Sequence, residues 1–81
     1  MQVTISFYSW FKDLTGCSQT AEDVPPGATL GDLYEMLKRR FPKLAGMQKP
    51  TLMAVGVEYQ DAAYALREGD EVSFFPPVQG G

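Results

Sequence analysis

The sequence predicts an α+β fold, a mixed sheet of four to five strands with one main helix packed across one face. Three observations carry this. Residues 2–10 and 71–75 alternate between apolar and polar side chains, the period of a half-buried strand. Residues 29–41 carry one apolar stripe at helical spacing, and a helix with one stripe has one face to bury. The elements follow as strand, strand, helix, strand, weak strand, strand, which suits a single sheet covered by the helix.

In the first strand Val3, Ile5 and Phe7 fall on one face and Gln2, Thr4, Ser6 and Tyr8 on the other. The Val3 face is expected in the core, so Tyr8 points outward. Trp10 either ends this strand in the core or stands at a partner surface. Lys12 to Gly16 reads as a turn or short helical bend closed by Gly16. Ser18 to Val24 reads as a short polar edge strand, hairpin partner to the first, broken by Pro25-Pro26-Gly27. Thr29 opens the helix, with Asp32 placed to complete an acidic capping box. Leu30, Leu33, Leu37 and Phe41 form the stripe, flanked by Tyr34 and Met36. Asp32 and Glu35 lie early and Lys38, Arg39 and Arg40 late, as the helix dipole prefers; the basic triplet reads as a solvated helix end. Pro42 bars continuation.

Lys43 to Pro50 reads as a loop, with a short turn at Leu44-Ala45-Gly46. Thr51 to Val57 is an apolar run of strand length. Glu58 to Asp61 is expected to turn the chain, and Ala62 to Ala65 to form a weak short strand. Leu66 to Asp70 is a further turn with Gly69 at positive φ. In the last strand Val72 and Phe74 face one way, Ser73 and Phe75 the other. The first and last strands are the most regular and are expected side by side in the middle. This is the ubiquitin-like β-grasp arrangement, with residues 1–75 as the domain and residues 76–81 as a flexible extended tail ending in Gly-Gly.

Eighty-one residues suffice for one small domain. A chain of this size buries roughly 60% of its unfolded surface, so it has a modest core. No stretch approaches the roughly 20 apolar residues of a membrane span and no leader pattern is visible, so a soluble, cytoplasmic protein is expected. The formal net charge is −3 and the basic residues gather mainly in one triplet, which argues against a nucleic-acid partner. Cys17 is the only cysteine and histidine is absent, which removes intrachain disulfides, histidine-assisted nucleophiles and most zinc or iron sites. Nothing in the sequence around Cys17 activates a thiol, so it reads as a packing residue. Glu22-Asp23 and Asp70-Glu71 fall beside turns and read as solvated acids. No metal site and no permanently bound cofactor is expected.

The remaining reactive group is the main-chain carboxylate of Gly81. A carboxylate is a poor electrophile until it is converted to an acyl-adenylate, in a site narrow and dry enough to protect the adenylate. Gly80 and Gly81 lack Cβ atoms, so their backbone can thread such a site. Pro76 and Pro77 stiffen the exit, and Val78 and Gln79 extend it towards the tip. Tyr8 and Phe75 form an outward aromatic pair beside this tail, a docking surface by its chemistry.

The phrase Gly69-Asp70-Glu71-Val72, then Phe75-Pro76-Pro77-Val78, Gln79 and terminal Gly80-Gly81 resembles the MoaD family, the small subunits of molybdopterin synthase. Phe7-Tyr8 followed by Lys12-Asp13-Leu14 and Gly16 is a second match, and the resemblance spans essentially the whole chain. It implies a sulfur carrier. Gly81 is adenylated by an E1-like activating enzyme that consumes ATP, then converted to a thiocarboxylate with sulfur from a persulfide donor. The sulfur travels covalently on Gly81 into the large synthase subunit, which supplies the catalytic side chains and passes it to a pterin precursor. The resemblance also implies partner contacts at Tyr8, Lys12 and Phe75. Two departures stand out: Gly56 where the family often has asparagine, and Tyr8 where it usually has phenylalanine. Other readings are a ubiquitin-like modifier conjugated through Gly81, a sulfur carrier for thiamine or another sulfur metabolite, and a plain β-grasp interaction module.

Overall fold

Strand β1 (Gln2–Phe7) and strand β5 (Glu71–Phe75) lie side by side and parallel at the centre of a five-stranded sheet. The computed structural model describes residues 1–46 and 51–76. Between the two central strands come helix α1 (Trp10–Thr15), strand β2 (Gln19–Asp23), helix α2 (Leu30–Arg40), helix α3 (Pro42–Ala45), strand β3 (Leu52–Val55) and strand β4 (Glu58–Tyr59). The sheet order is β2-β1-β5-β3-β4, and every neighbouring pair other than β1–β5 is antiparallel.

The alternation of the central strands fixes the two faces. Ile5 pairs with Val72 and Phe7 with Phe74, and all four are buried. Val3, Phe11, Leu30, Leu33, Leu37, Leu44 and Leu66 join them in the same core. Phe74 is its aromatic hub, with ring centroids 6.0 Å from Phe7, 6.3 Å from Phe11 and 5.4 Å from Tyr34. Phe41 leaves the helical stripe as the C-cap of α2 and sets its ring edge-on to Phe7 at 5.9 Å.

Helix α2 begins where the capping box places it. The Thr29 hydroxyl accepts from the Asp32 N–H at 3.1 Å, and the Asp32 carboxylate accepts from the Thr29 N–H at 2.9 Å. The first four helical N–H groups have no intrahelical partner and need acceptors. Thr29 donates to the Asp32 carboxylate, Leu30 to the Tyr64 carbonyl, Gly31 to the Ala62 carbonyl and Asp32 to the Thr29 hydroxyl, and the first intrahelical bond runs from Leu33 to the Thr29 carbonyl. This corrects the expectation of a weak strand at Ala62 to Ala65. That segment makes one isolated bridge, Ala65 to Thr29, and spends carbonyls on the helix terminus instead of a sheet ladder. A Cβ on Gly31 would lie 3.1 Å from the Ala62 Cβ and 3.2 Å from its carbonyl oxygen, so glycine lets the segment approach.

Three further expectations change. Strand β1 stops at Phe7, and Trp10 opens α1 instead of ending the strand; its half-buried ring packs against the core, 6.1 Å from that of Phe11. The loop expected from Lys43 includes α3, because Pro42 ends α2 and then serves at the first turn of a new helix, where its missing N–H costs nothing. The turn expected at Glu58 to Asp61 lies earlier, at Gly56-Val57, and Glu58–Tyr59 pairs with β3. Gly56 has φ 62 while Val57 keeps negative φ, the signature of a two-residue type II′ hairpin. The glycine that departs from the family pattern at position 56 is the residue that the first central position of this turn favours. Gly69 takes φ 81, as expected.

The basic end of α2 is more structural than a solvated triplet. Lys38 donates to Glu35 at 2.9 Å, and this hydrogen bond raises its pKa above the ordinary lysine value. Arg40 reaches the edge strand β2, donating to Glu22 at 2.8 Å, to the Thr20 hydroxyl at 2.7 Å and to the Ala21 carbonyl at 3.2 Å. Its guanidinium also lies over the Phe41 ring, 4.9 Å from the centroid.

Thr29→Ala removes the box. It is expected to cost about 1 kcal/mol and to lower Tm by roughly 4–8 °C for a domain of this size. Calorimetry checks this; an unchanged Tm would mean the Ala62–Tyr64 carbonyls hold the helix start alone.

Candidate functional site

The face of the sheet opposite α2 is built from the other half of the same alternation. Ser6 of β1 pairs with Ser73 of β5, Ala54 of β3 also pairs with Ser73, and Leu52 of β3 pairs with Phe75. The small side chains at Ala54 and Ser73 leave room above the sheet, and aromatic residues wall it. Tyr8 follows the end of β1, and its N–H donates to the Phe74 carbonyl at 3.1 Å, which prolongs the parallel pairing by one residue. Its ring stands edge-on to Phe75, with centroids 6.3 Å apart. On the far side of Phe75 the ring of Tyr59 lies at 5.6 Å. Phe75 is therefore the middle of a row of three aromatic rings.

This row borders an open groove of about 480 Å³ lined by Tyr8, Ala54, Gly56, Val57, Tyr59, Ser73 and Phe75. Tyr8 is 53% exposed, Tyr59 64% and Val57 99%. Folding does not bury these side chains, so their apolar area remains for a partner. A second, more polar groove adjoins the row and is lined by Ser6, Tyr8, Ser9, Lys12, Ser18 and Gln19 among others. Lys12 projects from α1 there and makes no ion pair among the described residues.

Of the residues singled out from sequence, Tyr8 and Phe75 touch, and Lys12 shares the adjoining groove with Tyr8. Pro76 follows Phe75 and is half-buried. Pro77, Val78, Gln79, Gly80 and Gly81 lie outside the described residues. Tyr59 is the residue that sequence reading missed. The signal was Gly56: a two-residue turn there pairs Tyr59 with Ala54 and puts both on one face. Cys17 is half-buried, its sulfur 3.8 Å from the Thr15 hydroxyl. Among the described residues, no group of three or more His, Cys, Asp or Glu side chains could hold a metal ion. No helix among them is long and apolar enough to cross a membrane.

A sheet face of this kind, with the final strand carrying its central aromatic ring, meets a sequence match over nearly the whole chain: the profile of the ThiS family covers residues 5–81. The chain belongs to the ThiS family. It is 30% identical over 84 residues to the molybdopterin synthase sulfur carrier subunit of Chlamydomonas reinhardtii, covering all of both chains. It is 32% identical over 92 residues to small archaeal modifier protein 3 of Haloferax volcanii, again covering all of both. Among solved structures it superposes with a TM-score of 0.90 on a Pyrococcus furiosus protein provisionally described as molybdopterin converting factor, subunit 1, at 28% identity and with 96% and 99% of the two chains covered. The fold of this ThiS-family chain is the ubiquitin-like β-grasp, and the MoaD resemblance read from the sequence agrees with these relatives.

Adjacent phenylalanines on opposite faces give a direct test of the two-faced sheet. Phe74 is 1% exposed, so Phe74→Ala is expected to cost about 3–5 kcal/mol in urea denaturation. Phe75→Ala is expected to cost about 1 kcal/mol, within the range of ordinary point substitutions. Equal losses would place Phe75 in the core.

Proposed function

We propose that this ThiS-family chain is a sulfur carrier and the small subunit of a molybdopterin synthase, with Gly81 as the loading point. The observation that carries the reading is the coincidence of two things. The family match and the relative named as a synthase sulfur carrier subunit run the length of the chain. The last strand also ends in a partner-ready aromatic row one residue before Pro76.

In this reading an E1-like enzyme uses ATP to convert the Gly81 carboxylate to an acyl-adenylate, releasing pyrophosphate. A persulfide sulfur attacks the carbonyl and AMP leaves. A thiol then splits the remaining S–S bond, leaving a thiocarboxylate on Gly81. The loaded tail enters the large subunit, whose side chains catalyse transfer of the sulfur to a pterin precursor. The chain contributes no catalytic side chain. Its own parts are a narrow tail, from Pro76 and Pro77 through Val78 and Gln79 to Gly80 and Gly81, and a grip at Tyr8, Lys12 and Phe75. Tyr59 extends the grip. Burying three aromatic rings supplies anchor area at low side-chain entropy cost, and Lys12 beside them selects an acidic partner rim.

A second reading is conjugation of Gly81 to lysines, favoured by the similarity to small archaeal modifier protein 3. Both readings begin with the same adenylate. Intact mass spectrometry of the protein from its native cells separates them. The carrier gains the mass of one sulfur in place of one oxygen, whereas the modifier appears in lysine-linked adducts. Neither form, with full function after removal of Gly81, would sink both readings.

One residue added after Gly81 displaces the carboxylate by about 3.5 Å. It is expected to abolish sulfur transfer in a reconstituted synthase assay while the circular dichroism spectrum stays unchanged; an active extended chain overturns the loading point. Phe75→Ala is expected to weaken binding to the large subunit by more than the roughly 2 kcal/mol of a hot-spot residue. Titration calorimetry reads this loss directly.

A further inference from the structure

The turn between β1 and α1 holds the one non-glycine residue at positive φ among the described residues, Ser9, with φ 56 and ψ −133. The Tyr8 carbonyl accepts from the Phe11 N–H at 3.1 Å, so Tyr8 to Phe11 close a β-turn with Ser9 at its first central position. These are the angles of a type II′ turn, whose first central position favours glycine because an L side chain is crowded there. They lie near the mirror image of the polyproline II basin, so a D residue would occupy them without strain.

Both flanks of Ser9 are fixed by contacts that do not involve its side chain. On one side the Tyr8 N–H is tied to the Phe74 carbonyl at 3.1 Å, holding Tyr8 on the outer face. On the other side Phe11 is fully buried in the core, and the Lys12 N–H donates to the Ser9 carbonyl at 3.0 Å. Two residues must carry the chain from the outer face of the sheet into its core. Ser9 absorbs the mismatch at the join between the segment that carries Tyr8 and the helix that carries Lys12.

We propose that Ser9 is a positioning residue for partner docking. Its Cβ narrows the conformations open to the turn and so holds Tyr8 and Lys12 in the placement the partner reads, at the cost of strain that glycine would relieve. The proposal rests on the docking reading of Tyr8, Lys12 and Phe75. It predicts that stability and affinity move in opposite directions when the strain is relieved by loosening, and together when it is relieved by inverting the residue.

The Gly16–Cys17 junction allows the full chain to be assembled by ligation of a thioester of residues 1–16 to residues 17–81, Cys17 supplying the thiol. Ser9→Gly, Ser9→Ala and Ser9→D-Ser are compared with the native chain by urea denaturation and by calorimetric titration with the cognate large synthase subunit. Ser9→Gly is expected to be more stable than the native chain yet to bind roughly two- to fivefold more weakly, the factor set by the extra backbone freedom of glycine. Ser9→D-Ser is expected to be more stable and to bind at least as tightly. Ser9→Ala keeps the Cβ and is expected to bind as the native chain does.

Native affinity in Ser9→Gly overturns the proposal. So does a loss in Ser9→Ala equal to that in Ser9→Gly, which would make the hydroxyl itself the contact. Phe75→Ala is the control. If it weakens binding while all three Ser9 variants bind normally, the docking reading stands and the role of Ser9 falls. If the native chain does not bind, or Phe75→Ala binds unchanged, the docking reading falls and takes this proposal with it.

Discussion

The parallel pairing of β1 with β5 is the constraint on which the rest of the molecule depends. Parallel neighbours cannot be joined by a tight turn and need a long crossover. Here the crossover runs from Tyr8 to Asp70, and among the described residues it holds three helices, the edge strand β2 and the β3–β4 arm. The register Ile5 to Val72 and Phe7 to Phe74 sends four large side chains to one face, where α2 covers them. The same register sends Ser6 and Ser73 to the other face and brings Tyr8 beside Phe75 just beyond. A slip of one residue would exchange the two sets. The core and the outer aromatic face are thus two consequences of one pairing.

A sheet with two open edges risks adding strands from other chains. This one treats its edges differently. At β2 the Arg40 guanidinium occupies the Ala21 carbonyl and holds Thr20 and Glu22 from the end of α2. An exposed ion pair alone contributes little. Three hydrogen bonds from one planar group, stacked on Phe41, also fix the helix end against the strand. At the other edge β4 is two residues long, too short to template much pairing, and one of the two is Glu58.

The parts of the fold legible in the sequence are those where burial enforces a local period. β1 and β5 alternate because each has one buried face, and α2 announces itself by its stripe and its Thr29–Asp32 box. What the sequence concealed was made by tertiary demand. Ala62 to Ala65 has strand composition, but the N–H groups of Leu30 and Gly31 needed carbonyls, and that segment supplied them. β4 is too short to show a period, so Tyr59 stayed hidden inside a segment read as a turn. Ser9 carries no signal at all, since its residue type argues against the backbone it adopts. Of the candidate site, Tyr8, Lys12 and Phe75 were readable from alternation and family phrasing, whereas the third ring and the strained turn after the first were not.

Tyr8, Tyr59 and Phe75 point away from Phe7 and Phe74, so substitutions on the docking face leave core packing nearly untouched. The two faces are nevertheless joined through the backbone. Tyr8 is bonded through its backbone to Phe74, and two residues further on the chain is anchored by Phe11 in the core. A shift of Phe11 reaches Tyr8 along the chain through Trp10 and Ser9, whereas a shift of Phe74 reaches Tyr8 through its carbonyl and Phe75 through the next peptide. The one non-glycine residue at positive φ among the described residues therefore sits on one of the paths that join the two faces of the sheet.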